Sequence, residues 1–302
     1  RHHPYSPGVQ LRLVGRSVSL ELTNMATAKV SISHLPTCRA SSGSSPRTAV
    51  TSQAAPPATE WPADSVAGPV AGAPRPLPKL EAIKGVLFDV DGTLCNSDPL
   101  HLQVFQEMLQ ELGFNGGQAI DEEFFRQHIA GRHNPAITEF LFPSWTEERR
   151  AQFTHDKEAA FRQLAGAGCL EGMPGLSDFL SWLEQKGLGR VAVTNAPRLN
   201  AECMLGGMGI AGEFSSLIIG DECTRAKPFP EPYLVGLQAL GIEPHEAIAV
   251  EDSPSGMRSA VEAGIPAVGI LSGQSPEALV EAGASYLIRD YHDLMALVSP
   301  SM

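Results

Sequence analysis

Five short apolar runs, at 83–89, 190–194, 216–219, 247–250 and 266–270, recur through the later part of the chain. They are too short for helices and too uniformly apolar for half-exposed strands, so they read as strands buried on both faces. Helical patterns separate them, at 176–186, 199–208, 232–240 and 255–263, and the last two are followed by Gly241 and Gly264, a common helix stop. This alternation predicts an α/β fold, a Rossmann-like, mostly parallel sheet with helices on both faces. Ligands of such sheets bind at the carboxyl ends of the strands. Chemistry is therefore expected just after the apolar runs.

One segment breaks the alternation. From 99 to 170 the pattern is helical throughout, with Leu102, Phe105, Met108, Leu109 and Leu112 at helical spacing, then Phe124, Phe125 and Ile129, then Ile137, Phe140 and Leu141, then a charged helix over 146–164. The expected organisation is a core of 80–94 and 171–302 with a helical cap of 95–170 inserted after the first strand, placed to act as a lid. Residues 1–79 read as leader, transit peptide and linker. The stretch 25–59 holds no Asp or Glu and is rich in Ser and Thr, and 54–78 is dense in Ala and Pro. A transit peptide from about Met25 predicts a chloroplast location, with the cytoplasm as the alternative. Residues 1–24 read as translated leader upstream of that start.

Charge narrows the partners. The net charge of −12 divides into +5 over residues 1–79 and −17 over 80–302. An acidic folded part repels nucleic acid, and a small phosphorylated metabolite would need a local positive focus. No apolar run is long enough to cross a membrane. Five widely spaced cysteines suggest neither a disulfide framework nor a zinc site. With no heptad stripe, a monomer is the default.

Four strand ends carry polar clusters. In Phe88-Asp89-Val90-Asp91-Gly92-Thr93, residues two apart face the same side, so Asp89 and Asp91 address one site. Paired carboxylates favour a hard divalent cation such as Mg²⁺, and a carboxylate can attack phosphorus while its neighbour moves a proton. A simpler reading is a buried pair that caps the next segment. Thr194-Asn195 ends the second run, where a hydroxyl and helix-end amides can hold phosphate oxygens. Lys227 opens a loop framed by Pro228, Pro230 and Pro232, which presents it rigidly. Glu251-Asp252 ends the fourth run and would complete a cation shell. Cys95 follows the first cluster, as a redox switch or simply a small loop residue.

The ordered set Asp89-x-Asp91-Gly-Thr, Thr194-Asn195, Lys227-Pro and Glu251-Asp252-Ser-x-x-Gly resembles the four motifs of the haloacid dehalogenase-like superfamily, in its helical-cap subgroup. Cys95-Asn-Ser-Asp-Pro-Leu-His-Leu, Gly131-Arg-His-Asn and Val193-Thr-Asn-Ala-Pro are similar to plant sugar-phosphate phosphatases and β-phosphoglucomutase-like members. The resemblance implies Asp89 as nucleophile, Asp91 as general acid and base, and Thr194 and Lys227 holding the phosphoryl oxygens. It implies Mg²⁺ on Asp89, the main-chain carbonyl of Asp91, Asp252 and Glu251, the last directly or through water. Asn195, His101, Arg132, His133 and Asn134 are the expected substrate-binding residues, with His101 alternatively a satisfied histidine on the first cap helix. The implied activity is hydrolysis of small sugar or polyol phosphates. The alternatives are a phosphomutase using the same aspartyl phosphate and a non-catalytic binding protein on this scaffold. This chain has Asn134 where mutase-like relatives carry an arginine, a departure that weakens the mutase alternative. The second aspartate, Asp91, is absent from the superfamily's dehalogenases.

Overall fold

All five apolar runs form strands. The structure, a computed structural model, describes residues 67–298 apart from 131 and 133. Along the chain come β1 (Gly68–Pro69), β2 (Gly85–Phe88), α1 (Asp98–Glu111), α2 (Glu122–His128), α3 (Asn134–Leu141), α4 (Glu147–Leu164) and α5 (Leu176–Gln185). Then follow β3 (Gly189–Thr194), α6 (Arg198–Gly207), β4 (Ser216–Ile219), α7 (Glu231–Leu240), β5 (Ala247–Glu251), α8 (Pro254–Glu262), β6 (Ala267–Ile270), α9 (Pro276–Glu281), β7 (Tyr286–Ile288) and α10 (Tyr291–Val298). The strands form one sheet in the order β1-β7-β6-β5-β2-β3-β4, parallel except for β1.

Alternation along β2 divides the core into two layers. Leu87 joins Val191, Val193 and Ala249 beneath Tyr233 and Leu237 of α7 and Met257 of α8. Phe88 faces the other way, edge-on to Phe179 of α5 at 6.1 Å and beside Tyr291 of α10 at 6.2 Å. Side chains this fully buried contribute about 1.5–3 kcal/mol each. The sheet is thereby held rigidly from both sides, which fixes where its strand ends stand.

The helical insertion leaves the sheet after Leu94 and returns through Met173, whose amide donates to the Leu94 carbonyl at 2.8 Å. Its interior is aromatic. Phe142 stacks on Trp145 at 3.8 Å, Phe153 meets Phe142 edge-on at 5.0 Å, and Phe105 lies near Phe125.

The linker expectation needs correction over its last residues. Gly68 and Pro69 pair with Leu287 and Tyr286, the Val70 amide donates to the Ser285 carbonyl at 3.1 Å, and Arg75 Nε donates to the Val261 carbonyl at 3.1 Å. Ordered structure therefore begins before Leu80. Backbone pairing at a sheet edge needs no apolar pattern, and Pro69 is tolerated because its other side has no strand to bond. The leader over 1–66, including the expected transit peptide from Met25, lies outside the described residues.

Candidate active site

The strand register assembles the site. Phe88 of the central β2 pairs with Ala192 of β3 on one side and Val250 of β5 on the other, so Asp89, Val193 and Glu251 come next at one level, and the Asp89 amide bonds the Val250 carbonyl at 3.0 Å. Gly92 turns the chain sharply here, with φ of +82°, and a side chain at this position would collide with Asp252. Asp89, Glu251 and Asp252 each bring a carboxylate oxygen within 4.8 Å of the others.

Lys227 crosses from the loop after β4 into this cluster. Its Nζ donates to Asp89 Oδ1 at 2.8 Å, to the Val193 carbonyl at 2.7 Å and to Glu251 Oε1 at 2.6 Å, and its side chain is 3% exposed. Burial disfavours the lysine's charge, but Asp89 and Glu251 outweigh it and hold the ammonium above its ordinary pKa. Glu251 is fully buried. Its Oε1 also accepts from Tyr233 Oη at 2.8 Å, and its Oε2 accepts from Ser253 Oγ at 3.2 Å. Gly256, at the start of α8, has no side chain because Glu251 fills the space.

The remaining carboxylates are less compensated. Burial raises Asp89 to about 7 against the pull of Lys227, with Glu251 adding to the rise. Burial likewise holds Asp252 well above the usual carboxylate range, reinforced by Asp89 and Glu251. Several buried carboxylates around one lysine are short of positive charge, and all their donors are hard oxygen. The residues present fit a small divalent cation.

Asp91 sits at the mouth between sheet and insertion. Its Oδ1 accepts a hydrogen bond from the buried Ser97 hydroxyl, and its Oδ2 lies 3.8 Å from His101 Nε2. The His101 ring stacks on Phe161 at 4.1 Å, and its buried Nδ1 has no hydrogen-bond partner among the described residues. Burial lowers this imidazole to about 4, with Lys157 adding to the shift and Asp91 opposing it. The ring is therefore neutral near pH 7.

A strand-end Asp pair, a buried lysine from a proline-framed loop and a second acidic strand end, with a helical insertion after the first strand, form a recognisable whole. The family model for haloacid dehalogenase-like hydrolases matches residues 86–270. The chain belongs to that family. Among the hydrolases it resembles, validoxylamine A 7'-phosphate phosphatase of Streptomyces hygroscopicus subsp. limoneus is 31% identical over 206 residues, 66% of this chain and 91% of the relative. A phosphorylated carbohydrates phosphatase of Thermotoga maritima is 27% identical over 213 residues, 68% and 94%. Among solved structures, CbbY from Rhodobacter sphaeroides in complex with phosphate superposes with a TM-score of 0.61 at 25% identity, covering 70% of this chain and 96% of that one.

In this haloacid dehalogenase-like hydrolase the other expected site residues take differing places. Thr194 is buried, and its Oγ1 accepts from the Ala196 amide at 3.0 Å, which leaves its proton free to donate. Asn195, expected to bind substrate, instead braces the lysine loop: Nδ2 donates to the Lys227 carbonyl at 3.1 Å, and Oδ1 accepts the Lys227 amide at 3.2 Å. Glu251, expected on the cation, has both oxygens engaged by Lys227, Tyr233 and Ser253. Glu251 nevertheless brings a carboxylate oxygen into the same group as Asp89 and Asp252, and it is tied to Asp89 through the lysine. Arg132 is exposed, and its guanidinium donates to the Gln127 carbonyl at 3.1 Å. Asn134 Nδ2 donates to Glu158 Oε1 at 2.7 Å, and Asn134 Oδ1 accepts from Lys157 at 3.2 Å, all within the insertion. His133 lies outside the described residues. Cys95 is fully buried, burial pushes its thiol up, and its Sγ contacts the Val90 carbonyl at 3.8 Å, the setting of a small loop residue.

Sequence reasoning missed Ser97, Tyr233, Lys157, Glu158 and Asn200. Each stands at or next to a helix position where spacing signals packing only. Lys157 and Glu158 are buried on α4 on the side that also buries Phe153, Ala160, Phe161 and Leu164, and in so charged a helix no sequence signal marks these two charges as turning inward.

Proposed function

We propose that the chain is a Mg²⁺-dependent phosphatase of small sugar or polyol phosphates, working through an aspartyl phosphate on Asp89. The observation that carries the reading is the buried Lys227–Asp89 pair set against the carboxylates of Asp252 and Glu251. An acidic protein has here concentrated a fixed cation beside a carboxylate with one unshared oxygen.

Asp89 Oδ1 is held by Lys227, so Oδ2 is the attacking atom. Thr194 Oγ1 donates to a phosphoryl oxygen, and Lys227 offsets the charge that gathers on Asp89 and the transferring group. Asp91, held through Oδ1 by Ser97, gives its proton to the leaving alcohol and then takes one from the water that cleaves the aspartyl phosphate. The Asp91 main-chain carbonyl, Asp89 and Asp252 would hold Mg²⁺. When bound, Mg²⁺ supplies positive charge that screens the phosphoryl oxygens from these carboxylates.

Two observations favour hydrolysis over the mutase alternative. A sugar bisphosphate needs a second anion site, yet Arg132 turns to a carbonyl of its own segment, and Lys157 is neutralised by Glu158 at 2.6 Å. The non-catalytic alternative is disfavoured because Asp89, Asp91, Lys227 and Asp252 are all in place. Relatives named as phosphatases, of a validoxylamine phosphate and of phosphorylated carbohydrates, point the same way. The composition of residues 25–59 supports a plastid location.

The test is phosphate release from a panel of small phosphomonoesters by the purified chain. Release that requires Mg²⁺, stops with EDTA and is lost in Asp89→Asn supports the reading. Equal release by Asp89→Asn, or isomerisation primed by a bisphosphate with no free phosphate, overturns it.

A further inference from the structure

Glu158 on α4 is a buried carboxylate whose ligands come from both sides of the boundary between insertion and core. Oε1 takes Lys157 Nζ at 2.6 Å and Asn134 Nδ2 at 2.7 Å, both from the insertion. Oε2 takes Nδ2 of Asn200, which belongs to α6 of the core and is 3% exposed. Asn200 also works in the other direction, since its Oδ1 accepts from Arg162 NH1 at 2.8 Å, one turn along α4 from Glu158. The same face of α6 continues the contact. Cys203 Sγ meets the Arg162 carbonyl at 3.2 Å, and Gly207 lies so close to the Ala165 carbonyl that a side chain there would collide with it. Positions 200, 203 and 207 share one helix face, so α6 offers a polar-to-small stripe as the seat of α4.

We propose that Asn200 is a positioning residue: by bonding Glu158 and Arg162 together it latches α4 to the core and sets where Lys157 and Phe161 stand, the Phe161 ring being the one on which His101 stacks beside Asp91. Movement of the insertion about its two crossings must break both Asn200 bonds, and the Glu158 carboxylate then loses a buried partner. Lys157 follows because the carboxylate that grips it is the one that Asn200 holds. The latch thus favours substrates whose alcohol portion reaches the insertion, a consequence that rests on the phosphatase reading.

The test uses Asn200→Ala, Asn200→Asp, and Asn200→Asp combined with Glu158→Gln, all in the full chain. Asn200→Asp sets carboxylate against carboxylate. The added Glu158→Gln restores a donor, because its amide nitrogen can donate to the new carboxylate while its oxygen still accepts from Lys157 and Asn134. Hydrogen exchange by mass spectrometry over 157–165 should rise about tenfold in Asn200→Ala and Asn200→Asp, the factor carried by a lost hydrogen bond to a charged group, and return to within about twofold of wild type in the double variant. KM for a hexose phosphate should rise about tenfold in both single variants and recover in the double variant, while kcat on acetyl phosphate, which has no sugar to reach the insertion, stays within about twofold. Unchanged exchange in the single variants, absence of rescue, or raised exchange with an unmoved KM overturns the latch. Should wild type release no phosphate at all, the phosphatase reading falls, and the exchange arm still decides whether Asn200 holds α4.

Discussion

Lys227 Nζ lies 2.8 Å from Asp89 Oδ1 and 2.6 Å from Glu251 Oε1, so one buried ammonium joins the end of β2 to the end of β5. Lys227→Met keeps much of the volume and removes the charge. Breaking a buried pair in this way costs about 3–5 kcal/mol. Urea denaturation should show that loss, and phosphate release should fall at least a thousandfold, roughly the scale of a lost transition-state charge contact. A variant with wild-type stability and turnover would show that Lys227 neutralises nothing.

Tyr233 reaches the same carboxylate from α7. Tyr233→Phe deletes only the hydroxyl that donates to Glu251 Oε1 at 2.8 Å. A hydrogen bond to a charged group is worth about 1.5–3 kcal/mol, so the denaturation midpoint should drop by that equivalent. Activity should decline far less than in Lys227→Met, because Lys227 keeps its bonds to Asp89 and Val193.

His101 supplies a pH signature. Its folded pKa, lowered to about 4 first by burial, lies below the unfolded value near 6.5. Between those values the unfolded chain binds the extra proton, so the contribution is complete above about pH 6.5 and is lost as pH falls toward 4. Thermal melts of His101→Gln should show a shallower loss of stability across that window than wild type. Identical slopes would mean that the imidazole titrates normally in the fold.

Deletion to Leu80 should destabilise the protein, although no catalytic group is removed. A chain that starts at residue 67 keeps β1 on the edge of β7 and the Arg75 bond to Val261, whereas one that starts at 80 bares that edge. The shorter chain should melt lower and aggregate sooner on heating. Equal melts would make the 67–79 segment a passive tail.

The legible part of this protein was its strand ends. Asp89, Asp91, Thr194, Lys227, Glu251 and Asp252 announced themselves because a parallel sheet delivers residues after apolar runs to one edge, and short polar motifs there have few structural explanations. Which of them touch one another was not legible. Whether Asn195 faces a ligand or braces Lys227 depends on the path of a loop more than thirty residues away, as the separation of 32 between the partners shows. Arg132 was read as facing substrate because of its charge, and its guanidinium instead meets the Gln127 carbonyl. The Glu158–Asn200 tie joins helices 42 residues apart, and helical periodicity marks a face without naming what packs on it.

The central claim is that Asp89 receives the phosphoryl group. It is tested most directly with Asp91→Asn, which lacks the group that activates water, mixed with acetyl phosphate, whose leaving group needs little protonation. After an acid quench and peptide mapping by mass spectrometry, a phosphoryl group should be found on Asp89, and it should be absent when Asp89→Asn is added. Phosphate release without any such adduct, or an adduct that survives Asp89→Asn, would contradict the account.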